Sequence, residues 1–159
     1  KSFGKAISVG LWKKDLCYRA AKLMQQFAPD QGVRITVRKH IPDGAGMGGG
    51  SSDAATCLIA LNRLWNIHKK RNELLTLAVP LGADVPFFIF GETAFAQGVG
   101  EVLAPVVIDD FEGAVVFPGA SVPTAEVFKS PNLTRDTDSI RITNSSSAAL
   151  LRLAARFRA

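Results

Sequence analysis

The spacing of apolar residues predicts a helix and then a strand early in the chain. Between residues 14 and 28, apolar side chains recur every three or four positions and Pro29 follows, so we predict a helix over 14–28 with one face on the core. Residues 33–38 then alternate strictly between apolar and polar side chains, which is typical of a half-buried strand. The apolar positions of the predicted helix are Leu16, Ala20, Leu23, Met24 and Phe27.

The rest of the pattern predicts a mixed fold in which helices pack on sheet. The apolar run 87–90 lies between Pro86 and Gly91 and predicts a buried strand. This order of elements favours an α+β architecture. The further predicted helices cover 53–66, 71–79 and 123–129, and the further predicted strands cover 93–97, 102–108 and 113–118.

A glycine-rich loop joins the first predicted strand to the second predicted helix. Residues 42–52 read PDGAGMGGGSS, and Ser51, Ser52 and Asp53 can each cap the helix that follows. Ordering glycine loses more backbone entropy than ordering any other residue, so such a run indicates a need for bare backbone N–H groups. Since a helix N-terminus adds unpaired N–H groups and the positive end of a dipole, the loop predicts a phosphate site.

Three well-known glycine loops fit this segment poorly. A P-loop has a lysine after its last glycine, but here Ser51 follows Gly50. A protein-kinase loop lies in a hairpin and precedes a VAIK lysine, and neither context is present. The weak pattern GxGxxG begins at Gly44, yet residues 65–70 are basic where a Rossmann fold has an acidic residue. A dinucleotide-binding protein stays open as an alternative.

The full string over residues 42–55 closely resembles the second motif of the GHMP kinase superfamily, whose glycine loop wraps the phosphates of ATP. Three further segments resemble the same superfamily in order and spacing, so the resemblance covers about residues 14–142. Among its members, the chain is most similar to those that act on a small alcohol carrying a cytidyl diphosphate. The three segments are LGADVPFF at 81–88, AFAQGVGE at 94–101, and the PG, VPT and FK elements within 118–129.

The resemblance implies an ATP site and a catalytic base. Asp84 is the candidate base, because transfer of a γ-phosphoryl group to an alcohol uses a carboxylate that orients the hydroxyl and accepts its proton. Without the resemblance, an aspartate in such a turn would more often be a helix or turn cap. The implied ATP-binding residues are Lys39, Pro42, Asp43, Gly44, Ala45, Gly46, Met47, Gly48, Gly49, Gly50, Ser51 and Ser52.

The resemblance also implies a substrate site and a cofactor. Phe128 would stack on the cytosine ring, although it also fits an apolar anchor of a short helix. Thr124 and Lys129 would donate hydrogen bonds to the substrate, a cytidyl diphosphate sugar alcohol. ATP and Mg²⁺ are the implied cofactors, and no side chain is assigned as a metal ligand.

The implied fold is that of a GHMP kinase, with a partial ribosomal-S5-like ATP-binding domain over residues 1–97 and part of a ferredoxin-like domain over 98–159. The family's N-terminal lysine and Tyr-His pair and its C-terminal Gly-Thr-Gly loop have no counterpart here. We therefore expect phosphoryl transfer by this chain alone to be weak or absent. A non-catalytic ATP-binding protein and a kinase for another small alcohol remain alternatives. Exposed sheet edges favour association, with a homodimer as the simplest form.

Composition and charge narrow the class of partner. The chain is 47% hydrophobic and 21% charged, which is ordinary for a globular protein, and we expect no membrane span. Its net charge of +5 comes from dispersed basic residues without interleaved aromatics, which favours an anionic small molecule over nucleic acid. Cys17 and Cys57 lack metal-ligand spacing and are expected to be buried free thiols. With no visible signal peptide, this cysteine usage predicts a cytoplasmic location.

Overall fold

The computed structural model describes residues 2–3, 14–41, 46–108, 112–114 and 129–132. Helices and two small antiparallel sheets alternate along these residues, so the predicted α+β fold is confirmed. The predicted elements over 113–118 and 123–129 lie almost entirely outside the described residues. The elements are β1 (Ser2–Phe3), α1 (Leu16–Gln25), β2 (Val33–Arg34), α2 (Gly49–Leu64), α3 (Arg71–Ala78), a 3-10 turn (Val79–Leu81), α4 (Val85–Phe90), β3 (Ala94–Gln97) and β4 (Val102–Pro105).

Helix α1 begins at a side-chain cap. The Asp15 carboxylate accepts hydrogen bonds from the backbone N–H groups of Cys17 at 2.8 Å and Tyr18 at 3.3 Å, which satisfies two donors of the first turn. The helix ends at Gln25, three residues earlier than predicted. Phe27 consequently lies beyond the helix and is 43% exposed, so its predicted place in the core is wrong. Its ring instead contacts the ammonium of Lys69, 4.1 Å from the ring centre.

The core forms where α2 packs against α1 on one side and against α4 on the other. Alanines on both α1 and α2 allow a close approach of the two helices, because the distance between helix axes depends on the side chains at the contact. Helix α3 packs on α4 and closes the layer. The most deeply buried residues are Ala20, Met24, Ala54, Ala55, Leu58, Ala78, Val85 and Pro86.

The predicted strand over 33–38 is shorter in the structure than in the pattern. Within the described residues, the strand is Val33–Arg34, which pairs with the antiparallel strand β1. The predicted alternation of burial nevertheless continues as far as residue 38, with the apolar positions partly buried and the polar ones exposed. The segment therefore presents one face to the core as it approaches the glycine loop.

The predicted strand over 87–90 is wrong, because these residues belong to helix α4 (Val85–Phe90). Buried residues at Val85 and Ile89 are four positions apart, which is the spacing of one helix face. Pro86 lies in the first turn, where no backbone N–H is needed for the helix. Gly91 ends the helix in the left-handed conformation at φ 71°, and its N–H donates to the Phe87 carbonyl at 3.0 Å.

Helix α2 also departs from its prediction, because it begins at Gly49, inside the glycine run. The residue that precedes it, Gly48, turns the chain with φ 66° and takes the N-cap position. Ser51, Ser52 and Asp53 lie within the helix, so the prediction that they cap it is wrong.

Helix α3 and the β3–β4 hairpin confirm their predictions. Helix α3 runs over Arg71–Ala78, and the 3-10 turn that contains Pro80 follows it at once. Strands β3 and β4 pair antiparallel from Ala94 with Pro105 to Gln97 with Val102. The predicted boundary between two domains, after residue 97, falls in this hairpin and stays a prediction.

Candidate active site

The amino end of α2 carries backbone N–H groups that its N-cap residue, a glycine, cannot cap with a side chain. The Ser52 N–H donates to the Gly48 carbonyl at 2.9 Å, which is the first bond of the helix ladder. The N–H groups of Gly49, Gly50 and Ser51 precede that bond and so have no partner within the helix. The N-cap Gly48 makes no side-chain cap hydrogen bond. This end of α2 therefore has the donors and the dipole orientation that bind an anion.

Gly48 brings the loop into close contact with α4. A Cβ atom added to Gly48 would lie 2.8 Å from two carbon atoms of the Phe88 ring, too close for any larger residue without rearrangement. Gly49 faces Ile41 in the same way, with a distance of 3.2 Å. Gly46, by contrast, has nothing within 4 Å of such an atom. The bare backbone at Gly48 thus serves the packing of the loop on Phe88.

Asp84 occupies the N-cap position of α4 and is exposed. Its backbone is helical, with φ −85° and ψ −14°, and its carboxylate makes no side-chain cap hydrogen bond. Pro86 supplies part of the reason, because a proline in the first turn has no N–H to donate. Asp84 therefore lies where the cap alternative places it, but its side chain does not make the hydrogen bond of a cap.

The contact with Phe88 places Gly48 of the glycine loop against α4, the helix that follows Asp84. Phe88 follows Asp84 by four residues, and such pairs lie on the same face of a helix, about 6 Å apart along its axis. A second contact fixes the chain just before Asp84. A Cβ atom on Gly100 would lie 2.5 Å from the Ala83 carbonyl oxygen, so the turn between β3 and β4 packs directly on this peptide.

Lys39 forms an ion pair beside the amino end of α2. Its ammonium Nζ lies 2.8 Å from Oδ2 of Asp53, and the two side chains are 40% and 37% exposed. A cavity of about 200 Å³ lies next to this pair, between residues 38–41 and the first turns of α2. Gly49 and Ser52 line it on the helix side.

Four residues that line this cavity are not among the predicted site residues: Arg38, His40, Ile41 and Asp53. Asp53 was interpreted as a helix cap, although it lies beyond the first turn, and Arg38 and His40 were assigned no role in the site. The sequence contained a signal for Arg38 and His40, because residues 38–40 form a basic run directly before the predicted phosphate loop. Such a run places positive charge where an anionic ligand would enter.

Several predicted site residues lie outside the described part of the chain. Of the three predicted substrate-binding residues, the structure describes Lys129, whose side chain is exposed. Gly46 and Met47 are described and exposed. The residues outside are Pro42, Asp43, Gly44, Ala45, Thr124 and Phe128.

Within the described ranges, no three or more His, Cys, Asp or Glu side chains cluster in a way that could hold a metal ion.

Comparison with known proteins assigns the fold. Residues 15–92 match the GHMP kinases N terminal domain family. Over 142 residues, the chain is 51% identical to 4-diphosphocytidyl-2-C-methyl-D-erythritol kinase of Janthinobacterium sp. (strain Marseille), which covers 86% of this chain and 49% of that protein. It is 55% identical over 129 residues to the protein of the same name from Bordetella pertussis, covering 80% of this chain and 43% of that protein.

A solved structure gives the same result. The crystal structure of 4-(cytidine 5'-diphospho)-2C-methyl-D-erythritol kinase matches with a TM-score of 0.62 and 44% sequence identity, over 76% of this chain and 44% of that one. The chain spans about half the length of the curated relatives that it matches. Residues 15–92 thus form a GHMP kinase N-terminal domain.

Proposed function

We propose that this chain acts in the ATP-dependent phosphorylation of the 2-hydroxyl of 4-diphosphocytidyl-2-C-methyl-D-erythritol, in the non-mevalonate route to isoprenoid precursors. The names of its curated relatives support this choice of substrate. The observation that carries the proposal is the contact of Gly48 with Phe88. This contact joins the amino end of α2, which can bind an anion, to α4, whose N-cap residue is Asp84. Phosphoryl transfer needs both an anion site and a carboxylate.

In the proposed mechanism, the backbone N–H groups of residues 49–51 bind phosphate oxygens of ATP. Lys39 adds positive charge at the mouth of the cavity. The Asp84 carboxylate orients the acceptor hydroxyl and accepts its proton as the oxygen bonds to the γ-phosphorus, while the bond from the γ-phosphorus to its bridging oxygen breaks and ADP leaves. Mg²⁺ would neutralise charge on the phosphates, and no side chain of the chain is assigned to hold it.

The remaining parts of the proposal extend beyond the described residues. Thr124, Phe128 and Lys129 are proposed to bind the cytidyl group, and residues 98–159 are proposed to belong to a second domain. The free thiols of Cys17 and Cys57 support a cytoplasmic location, where thiols stay reduced. Association into a homodimer stays a prediction.

Two variants test the proposal. Calorimetry with Mg²⁺ and ATP measures ATP binding, and a radiolabel assay measures phosphoryl transfer to the proposed substrate. We expect the chain to bind ATP and to transfer phosphate slowly. Asp84→Asn should keep the ATP affinity and lower transfer at least about 100-fold, because it removes the proton acceptor. Glu92→Gln is the matched control, since Glu92 is an exposed carboxylate just after α4 that pairs with Arg71 at 3.7 Å. It should leave both measurements unchanged.

The other outcomes separate the alternatives. ATP binding without any transfer would identify a non-catalytic nucleotide-binding protein. Binding of NADH without binding of ATP would favour a dinucleotide-binding protein. Transfer to a different small alcohol, with none to the cytidyl substrate, would retain a kinase and reject the proposed acceptor. Undiminished transfer by Asp84→Asn would remove Asp84 from the mechanism.

A further inference from the structure

Asp53 lies where a negative charge is costly for the proposed ligand. It belongs to the second turn of α2, and its carboxylate faces the segment that leads into the glycine loop. ATP brings several negative charges to this end of α2, and like charges at close range repel. Among the described residues that line the cavity, Asp53 is the only acidic one, whereas Arg38 and Lys39 are basic. The presence of a carboxylate beside the proposed ATP site therefore has to be explained.

The ion pair with Lys39 explains the presence of Asp53 at this place. At 2.8 Å, the Asp53 carboxylate accepts a charge-assisted hydrogen bond from the Lys39 ammonium across fourteen residues of chain. Lysine is flexible along four carbons, and a fixed partner restricts where its charge lies. Both side chains are more than a third exposed, so the pair contributes little to stability and stays accessible to a ligand.

We propose that Asp53 is a positioning residue for the nucleotide: it holds the Lys39 ammonium at the amino end of α2, where that ammonium meets a phosphate oxygen of ATP. This inference rests on the proposed function. An ammonium has three N–H donors in all, so one group can bond a carboxylate and a phosphate together. The negative charge of Asp53 thereby serves an anion site, because its effect is exerted through Lys39.

The test depends on whether Asp53→Asn weakens or strengthens ATP binding. If Asp53 acted only as a nearby negative charge, Asp53→Asn would strengthen ATP binding by removing repulsion. If Asp53 positions Lys39, the same variant should weaken ATP binding about fivefold, as expected for the loss of one ordered surface ion pair. Asp53→Glu, which restores the charge on a longer side chain, should recover part of the loss. Calorimetric titration with ATP and Mg²⁺ measures all three.

A double-mutant cycle distinguishes positioning from a structural effect. Lys39→Met should weaken ATP binding by itself, and in that background Asp53→Asn should no longer weaken binding and should strengthen it slightly. The thermal midpoint of Asp53→Asn should stay close to that of the unmodified chain, since an exposed ion pair adds little stability. Equal weakening by Asp53→Asn with and without Lys39 would overturn the inference.

The result also separates this inference from the proposed function. If the unmodified chain binds no ATP, the proposed function fails first. If the unmodified chain binds ATP, and Asp53→Asn binds it as tightly or more tightly, the positioning role fails while the proposed function stands.

Discussion

At the scale of single residues, the site depends on where the backbone is bare. Gly46 and Gly48 have almost the same left-handed conformation, with φ 71° and φ 66°. They differ in their surroundings, since only Gly48 faces a ring, that of Phe88. Conformation alone requires glycine at the first position, whereas conformation and packing both require it at the second.

This difference predicts unequal effects of alanine at the two positions. Gly46→Ala should lower the free energy of unfolding by about 1 kcal/mol, the usual cost of alanine in a left-handed conformation. Gly48→Ala should lower it by about 2–4 kcal/mol, because steric overlap with Phe88 adds to the same backbone cost. Urea denaturation measures both values. Adding Phe88→Leu should recover part of the loss in Gly48→Ala, and equal losses in the two single variants would contradict the packing role of Gly48.

At the scale of elements, the long periodic helices α1 and α2 were predictable, whereas the six-residue helix α4 was not. The spacing of apolar residues in α1 and α2 indicated helices because ten and sixteen residues, respectively, sample several turns. The six residues of α4 do not, and an apolar run of that length fits a strand equally well. Pro86 near the start and Gly91 at the end were the signals that favoured a helix.

The start of α2 could not be located from the sequence for a different reason. Ser51, Ser52 and Asp53 all have good capping side chains, and capping preference favours them over glycine. The left-handed turn at Gly48 outweighs this capping preference, because it lets the chain pass against Phe88. This contact joins segments that are distant in sequence. The sequence therefore predicts a phosphate site in the loop but not the residue at which the helix begins.

The interface between α1 and α2 contains a pair of thiols in different surroundings. Cys17 is buried at 4% exposure, and Cys57 is half-buried. The prediction of buried free thiols is thus confirmed for Cys17, while Cys57 is more exposed than expected. The hydrogen bond with Cys57, together with burial, raises the pKa of Cys17, whereas the same hydrogen bond lowers the pKa of Cys57.

Labelling with iodoacetamide should therefore discriminate between the two cysteines. The thiolate is the reactive form, so Cys57 should be modified first, with a pH midpoint below that of an ordinary cysteine. Cys17→Ser should shift this midpoint, because it changes the donor to the Cys57 sulfur. Mass spectrometry of the labelled peptides measures both sites, with the chain unfolded in urea as the control in which their rates converge. Faster labelling of Cys17 in the folded chain would contradict this assignment.

At the scale of the whole molecule, both halves of the site are attached to one core. Leu58 of α2 and Val85 of α4 are fully buried in that core, so the glycine loop and Asp84 are held in place by the packing of two adjacent helices. The net charge of +5 favours approach of a polyanion such as ATP. No helix in the described ranges combines the length and the apolar character that crossing a membrane requires.

The central claim is that the bare amino end of α2 binds the phosphates of ATP next to Asp84. Its most direct test is a two-dimensional amide NMR spectrum of the nitrogen-labelled chain, recorded during titration with ATP and Mg²⁺. The largest shifts should occur at the amides of residues 48–52, with smaller ones at Asp84, while the amides of α3 stay unchanged. Saturable ATP binding that leaves the amides of residues 48–52 unchanged would contradict it.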